Sequence, residues 1–294
     1  MPTQSALQPT AAAETANAPA PETIRLQATS GFGRVLDPKE LWRFRDLAFQ
    51  IAARDVTIRY RQTAFGAAWA ILQPLAFMAI FTLIFGRLAG IEAPDGLPYA
   101  LFALVGLVPW MFFANSFLLG SESLVMNQAL ISKIYFPRIF IPAGVVAAGC
   151  VDFTISLLIM LTIVLIAGFV PPLAILALPL LIAIAIMTAL GAAAGLSAVN
   201  VRYRDVRYVV PFATQLWFFI TPIVYPNVNI DEPLRTLTAI NPMVGVVEGF
   251  RWAVLGAGSA PWDLIGISFA SACVLLFIGL SYFDRVERSF ADLI

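Results

Sequence analysis

The chain has 294 residues, 60% of them hydrophobic and only 12% charged, with a mean hydropathy of +0.85. Soluble domains carry about 25% charged residues, so water is not the main solvent of this polypeptide. Its 18 basic and 18 acidic side chains cancel, leaving no net field for nucleic acid; the lack of histidine excludes Ser-His-Asp and Cys-His catalysis; and Cys150 and Cys273 stand alone in apolar runs, without zinc-type spacing or a disulfide framework.

Residues 1–36 are rich in Ala, Pro and Thr and lack a signal-type apolar core, and they read as a disordered cytoplasmic tail. Asp37-Pro38-Lys39-Glu40 has the layout of a helix start: an N-cap, a proline at the first helical position and a glutamate three residues past the cap. From there to Arg61, the polar residues Arg43, Asp46, Gln50, Arg54, Thr57 and Arg61 recur at spacings of three and four. Leu41, Phe44, Leu47, Ala48, Ile51 and Ile58 fall elsewhere on the cylinder, which predicts an amphipathic helix at the membrane interface. Its arginines can bind lipid phosphates or approach an anionic substrate headgroup from below, and their spacing does not separate the two.

A membrane-spanning helix needs about 20 predominantly apolar residues. Charge-free stretches run over Gln62–Gly86, Gly96–Ser121, Phe153–Val201, Tyr208–Ile230 and Leu264–Phe283. Pro171-Pro172 divides the third, because neither ring can donate a helix hydrogen bond. Six spans result, at about 64–87, 99–120, 141–169, 173–199, 208–226 and 263–283, and the fold class is an all-α polytopic membrane protein.

Between spans two and three, Glu122–Arg138 shows a helical apolar pattern and predicts a short cytoplasmic helix. Asp152, in Gly149-Cys150-Val151-Asp152-Phe153-Thr154, is the one carboxylate well inside a predicted span, where insertion costs at least about 2.5 kcal/mol. It is either a hydrogen-bond or ion-pair partner for a neighbouring helix, or a handler of substrate or protons. Between spans five and six, Pro226–Gly258 carries apolar pieces too short to cross. Irregular backbone at membrane depth survives only when shielded, so short periplasmic re-entrant helices are expected there.

Arginine and lysine flank membrane spans preferentially on the cytoplasmic side. With both termini inside, 15 of the 18 basic residues are cytoplasmic, and only Arg87, Arg235 and Arg251 fall in outer segments. Aromatic side chains are abundant in the spans. Most suit lipid or core, but Phe77, Phe81, Trp110, Trp217, Phe218 and Tyr225 are also candidates for a channel lining on which sugar rings stack. A Walker-type phosphate loop needs Lys before Ser or Thr, whereas Lys39 precedes Glu40 and Lys133 precedes Ile134. Motive force therefore comes from an ion gradient, for which buried ionisable groups are few, or from a separate subunit.

Several runs carry a resemblance: Leu72-Gln73-Pro74-Leu75, Pro109-Trp110, Asn127–Arg138 (NQALISKIYFPR), Val151-Asp152-Phe153, Asn200-Val201-Arg202-Tyr203-Arg204-Asp205, Thr221-Pro222-Ile223-Val224-Tyr225, Asn241-Pro242-Met243 and Phe283–Ile294 (FDRVERSFADLI). In order and spacing the chain resembles the permease subunits of ABC-2 type polysaccharide exporters, across its O-antigen, capsule and teichoic-acid branches, over nearly everything after Asp37. The resemblance implies a homodimer in the bacterial inner membrane with two ATPase subunits beneath it, exporting a lipid-linked polysaccharide. It implies no catalytic residue, metal or cofactor in this chain, ATP and Mg being bound by the partner ATPase. By the same resemblance Asn127, Leu130, Lys133, Tyr135, Phe136, Pro137 and Arg138 belong to the ATPase-coupling segment, and Arg54, Arg59 and Arg61 lie near the point where a substrate phosphate is admitted. Two other readings remain: an ABC-2 permease for a drug or other lipid, and an integral membrane enzyme of lipid-linked sugar metabolism, although no carboxylate or metal-ligand cluster marks the latter.

Overall fold

The apolar runs become helices, because in a bilayer each backbone N–H and C=O must be paired within its own segment. The computed structural model describes residues 38–61, 68–133, 136–227, 231 and 233–287. Two helices, α1 (Pro38–Arg43) and α2 (Arg45–Tyr60), precede the bundle. They are followed by α3 (Ala68–Phe81), which loosens into a π-helical stretch at Thr82–Leu88, and by α4 (Tyr99–Met126). Next come the single turn α5 (Gln128–Ile131), α6 (Phe140–Ile166) and α7 (Leu178–Arg202), the last entered through a 3-10 stretch at Leu173–Ala177. The remaining helices are α8 (Val206–Ile220), α9 (Leu234–Thr238), α10 (Pro242–Leu255) and α11 (Trp262–Glu287). Every regular element among the described residues is helical, as expected for an all-α multi-pass membrane protein.

Among the described residues, five segments are long and apolar enough to cross a membrane: Ala68–Leu88, Tyr99–Met126, Phe140–Ile166, Leu173–Arg202 and Trp262–Glu287. They coincide with the expected spans one, two, three, four and six. The expected fifth, 208–226, is the 15-residue α8, about 22 Å long at 1.5 Å per residue. Beyond Ile220 the chain leaves the helix yet stays buried from Thr221 to Val224. The predicted helix in Glu122–Arg138 is divided between the last residues of α4, to Met126, and the single turn α5. Ser121 and Ser123 turn their hydroxyls back onto the carbonyls of Leu118 and Gly120, each at 2.7 Å, so these polar residues do not end the helix.

The core is centred on α4. In the most apolar window of α4, 78% of residues are buried, against 6% for α3, so α4 is the axis and α3 the rim. The most extensive packing is of α4 on α7, α7 on α11 and α4 on α6, while α10 wedges between α4, α7 and α11. Glycine allows the close approach of α7 to α11: a methyl on Gly191 would lie 2.6 Å from the Leu276 Cα. A second cluster gathers Ile51, Leu124, Ile131, Phe136, Ile141, Phe283 and Val286, uniting α2, the α5 region and the last turns of α11.

The helix before the first span exists, but the Asp37 cap lies outside the described residues. Arg43, Asp46, Gln50, Thr57 and Arg61 are exposed as the periodicity predicts. The other side differs from expectation past Ile51. Ile58 is exposed, whereas Asp55 and Arg59 turn toward α6. The pairings Ile51 with Gly144 and Arg59 with Asp152 advance by eight residues on both helices, so the second half of α2 runs alongside α6 rather than touching it at one point.

Candidate functional site

Two adjoining cavities sit between α3, α4, α6 and α8. The first, about 260 Å³, is walled by Arg59 and Tyr60 of α2, Trp69, Gln73 and Pro74 of α3, Met111, Phe112 and Asn115 of α4, and Gly149, Asp152 and Ser156 of α6. The second, about 480 Å³, is walled by Gln73, Phe77 and Phe81 of α3, Trp110, Met111, Ala114 and Asn115 of α4, and Thr214, Gln215, Phe218 and Phe219 of α8. Gln73, Met111 and Asn115 belong to both, so the two are neighbours across one shared wall.

The first cavity is the polar one. Arg59 Nη1 and Tyr60 Oη both donate to the carboxylate of Asp152, joining the end of α2 to the middle of α6. An ion pair with a neighbouring helix is thus the observed setting of Asp152. Arg59 and Asp152 each keep 24% of their side-chain surface accessible, so the pair lines the cavity without being sealed. Burial, and then the hydrogen bond and charge of Asp152, push the Tyr60 hydroxyl up to about 12, which keeps it a proton donor at neutral pH. Ser156 Oγ donates to the Ala70 carbonyl at 2.8 Å and fixes α3 on α6 beside the site.

The second cavity is aromatic. Its rings meet in a chain, with Phe77–Phe81 at 5.7 Å, Phe81–Phe218 at 5.6 Å and Trp110–Phe218 at 5.7 Å between centroids. Four of the six candidate channel aromatics are therefore brought together. Trp217 lies on the other side of α8, edge-on to Phe113 at 4.8 Å, with its indole N–H donating to Asn241 Oδ1 at 2.8 Å. Successive helix positions are about 100° apart, so Trp217 and Phe218 face different neighbours. Tyr225 closes the end of α8, donating to the Phe219 carbonyl at 2.9 Å. Sequence reasoning missed Tyr60, Trp69, Gln73, Asn115, Thr214 and Gln215. Uncharged polar side chains inside otherwise apolar spans were the available signal for four of them.

The coupling candidates divide into a surface tip and an anchored base. Asn127 ends α4 and begins α5; its Oδ1 accepts from Arg54 Nη2 at 2.7 Å and its Nδ2 donates to Ser123 O at 2.9 Å. Arg54 also grips Asp55, at 2.8 Å from Nη2, so it bridges α2 to the α4–α5 junction. Leu130 and Pro137 are half-buried, Lys133 is exposed and Phe136 is buried in the second cluster. Arg138 is tied to α11: its backbone N–H donates to Glu287 Oε1 at 3.2 Å, and its Nη1 to the Glu287 carbonyl at 3.1 Å. Tyr135 lies outside the described residues. Arg61, at the end of α2, is exposed.

Arg251 is the most deeply buried charge among the site's neighbours. Placed by sequence in an outer segment expected to hold short helices, it is 1% exposed in the second half of α10. Nη1 and Nη2 donate to the carbonyls of Pro222 and Ile223, each at 2.7 Å, Nη1 also reaches Glu248 at 2.8 Å, and the guanidinium lies 3.5 Å from the Phe102 ring centroid. Tyr99 Oη takes the next carbonyl, Val224, at 2.7 Å. Three consecutive carbonyls that leave the helix after α8 are thereby paired, the requirement for irregular backbone buried away from water. The helix α10 itself starts where Asn241 Oδ1 accepts from Met243 N at 3.0 Å with Pro242 behind it, and ends on the left-handed Gly256.

The profile of the ABC-2 type transporter family matches residues 47–255. The O-antigen export system permease protein RfbA of Myxococcus xanthus is 30% identical over 256 residues, covering 86% of this chain and 97% of that protein. RfbA of Klebsiella pneumoniae is 28% identical over 250 residues, or 85% and 95% of the two chains. The polysialic acid transport protein KpsM of Escherichia coli is 25% identical over 237 residues, or 80% and 92%.

Proposed function

This chain belongs to the ABC-2 type transporter family, and from that membership we propose that it is the permease subunit of an ATP-driven exporter of a lipid-linked cell-surface polysaccharide, of O-antigen or capsule type. The observation that carries this reading is the aromatic cavity that adjoins the polar one, in a chain similar over most of its length to O-antigen export permeases. Ring faces of Phe77, Phe81, Trp110 and Phe218 offer apolar surfaces for the flat sides of sugars, and Gln73, Asn115, Thr214 and Gln215 offer hydrogen bonds to hydroxyls.

The chain works as a homodimer in the bacterial inner membrane with both termini cytoplasmic. ATP is hydrolysed by two copies of a separate subunit that bears on the exposed tip at Lys133. Force applied there travels through Asn127 and Arg54 into α2 and through Arg138 and Glu287 into α11. The headgroup phosphate of the substrate meets Arg59, which faces the polar cavity, with Arg61 exposed one residue past the end of α2; Arg54 is engaged between Asp55 and Asn127 and acts in coupling. The test is removal of the chain from cells. Surface polysaccharide is expected to disappear while lipid-linked glycan accumulates inside, both restored by the intact gene; unchanged surface glycan would refute the reading.

A further inference from the structure

Arg59 and Tyr60 present a guanidinium and a protonated hydroxyl into the polar cavity, and both are already taken by an anion belonging to the chain. Carboxylate and phosphate make the same demand on such donors, since an arginine fork serves either through charge-assisted hydrogen bonds. Three features separate this pair from a static brace. It borders an open cavity, both partners retain accessible surface, and Asp152 has no other anchor among the described residues. The cavity also offers the carboxamides of Gln73 and Asn115, so a carboxylate released from Arg59 would not be left without donors.

We propose that Asp152 is a displaceable stand-in for the substrate's phosphate: an anionic headgroup takes Arg59 and Tyr60 from it, and the tether between α2 and α6 opens only when the polar cavity is occupied. This rests on the reading that the cavity receives the headgroup of a lipid-linked substrate. Tyr60 has one O–H and can give it to only one anion at a time, so a headgroup that takes this donor together with Arg59 Nη1 does so at the expense of Asp152. The tie from Arg54 to Asn127 does not involve Asp152, so α2 stays joined to the α4–α5 junction while its far end is released. Occupancy of the cavity is thereby reported to the segment that includes Lys133.

The test uses the full-length chain in nanodiscs of zwitterionic lipid, with farnesyl pyrophosphate as the probe, inorganic pyrophosphate as a second and discs containing phosphatidylglycerol as a third. Spin labels on the exposed positions Ile58 and Leu158, with Cys150 and Cys273 replaced by serine, read the separation of α2 from α6. Wild type is expected to bind farnesyl pyrophosphate and to lengthen the label distance on binding. Asp152→Asn should bind it at least fivefold more tightly and show the long distance without ligand, Asp152→Glu should behave as wild type, and Arg59→Gln should lose at least tenfold in affinity. Binding that needs Arg59 but leaves the wild-type distance unchanged overturns the displacement and leaves the headgroup reading standing. Binding indifferent to Arg59→Gln overturns the headgroup reading itself. Equal competition by inorganic pyrophosphate would assign the site to free anions, and abolition of probe binding by phosphatidylglycerol alone would assign it to bulk lipid; either overturns the proposal. Elution of each variant at the wild-type volume on size exclusion confirms folding.

Discussion

Arg251 holds the carbonyl of Pro222, 29 residues away in sequence, at 2.7 Å from a position where its side chain meets almost no solvent. The break after α8 and the helix α10 are therefore one construction: the carbonyls of Pro222 and Ile223 are paired by a guanidinium from α10 and that of Val224 by Tyr99. Removing the guanidinium would leave the carbonyls of Pro222 and Ile223 unpaired and strand the carboxylate of Glu248. Arg251→Met is expected to destabilise the fold by about 3–5 kcal/mol, and Arg251→Lys by more than half as much, because a point charge cannot serve the same fork of acceptors. Thermal melting in detergent followed by size exclusion reads both, and an unchanged midpoint for Arg251→Met would refute the role.

Phe218 and Trp217 are adjacent in sequence and opposite in duty. Phe218→Ala is expected to lower export about two- to tenfold, the range given by an aromatic contact of about 0.5–1.5 kcal/mol, with normal membrane levels. Trp217→Ala removes the bond to Asn241 and the packing on Phe113, so its effect should appear as a lower melting temperature. Quantifying surface glycan against permease abundance in the same cells separates the two patterns.

Lys133 and Arg138, five residues apart, should also fail differently. Lys133→Glu reverses an exposed charge and is expected to reduce glycan-dependent hydrolysis by the partner ATPase at least about fivefold without altering permease stability. Arg138→Glu sets a carboxylate against Glu287 and should loosen the end of α11, measurable as faster limited proteolysis there. Equal stability loss in the two variants would contradict this division.

Gly191→Ala tests the contact of α7 with α11. The added methyl meets backbone rather than a flexible side-chain end, so the helices must separate, at about 1–3 kcal/mol. Gly266→Ala on α11, where a methyl would meet open space, is the matched control and should be neutral.

Much of the bundle was readable because hydrophobic length and proline are strong local signals. Pro171-Pro172 does separate two helices, one ending at Ile166 and the next reached through Leu173–Ala177. The fifth span was harder, since charge-free composition from Tyr208 to Ile230 does not mark the end of the helix; it stops at Thr221, just before Pro222, and the buried carbonyls beyond are paired by Arg251 and Tyr99, residues remote in sequence. The site was half visible. Helical spacing of four brings Phe77 to Phe81, but which residues of α8 meet them depends on how that helix is rotated in the bundle. The pairing of Arg59 with Asp152 was hidden because α2 was expected to meet the membrane surface with a uniform apolar side, whereas beyond Ile51 the side facing α6 is ionic.

Because Gln73, Met111 and Asn115 each wall two chambers, a substitution at any of these three positions alters both. Under the proposed function, a lineage adapting to a new polymer could not use these three residues to retune the passage of the chain while leaving the grip on its leading end untouched. Defects in admitting and in moving cargo should therefore arise together from single changes at these three positions, and be repaired together by second-site changes across the shared wall.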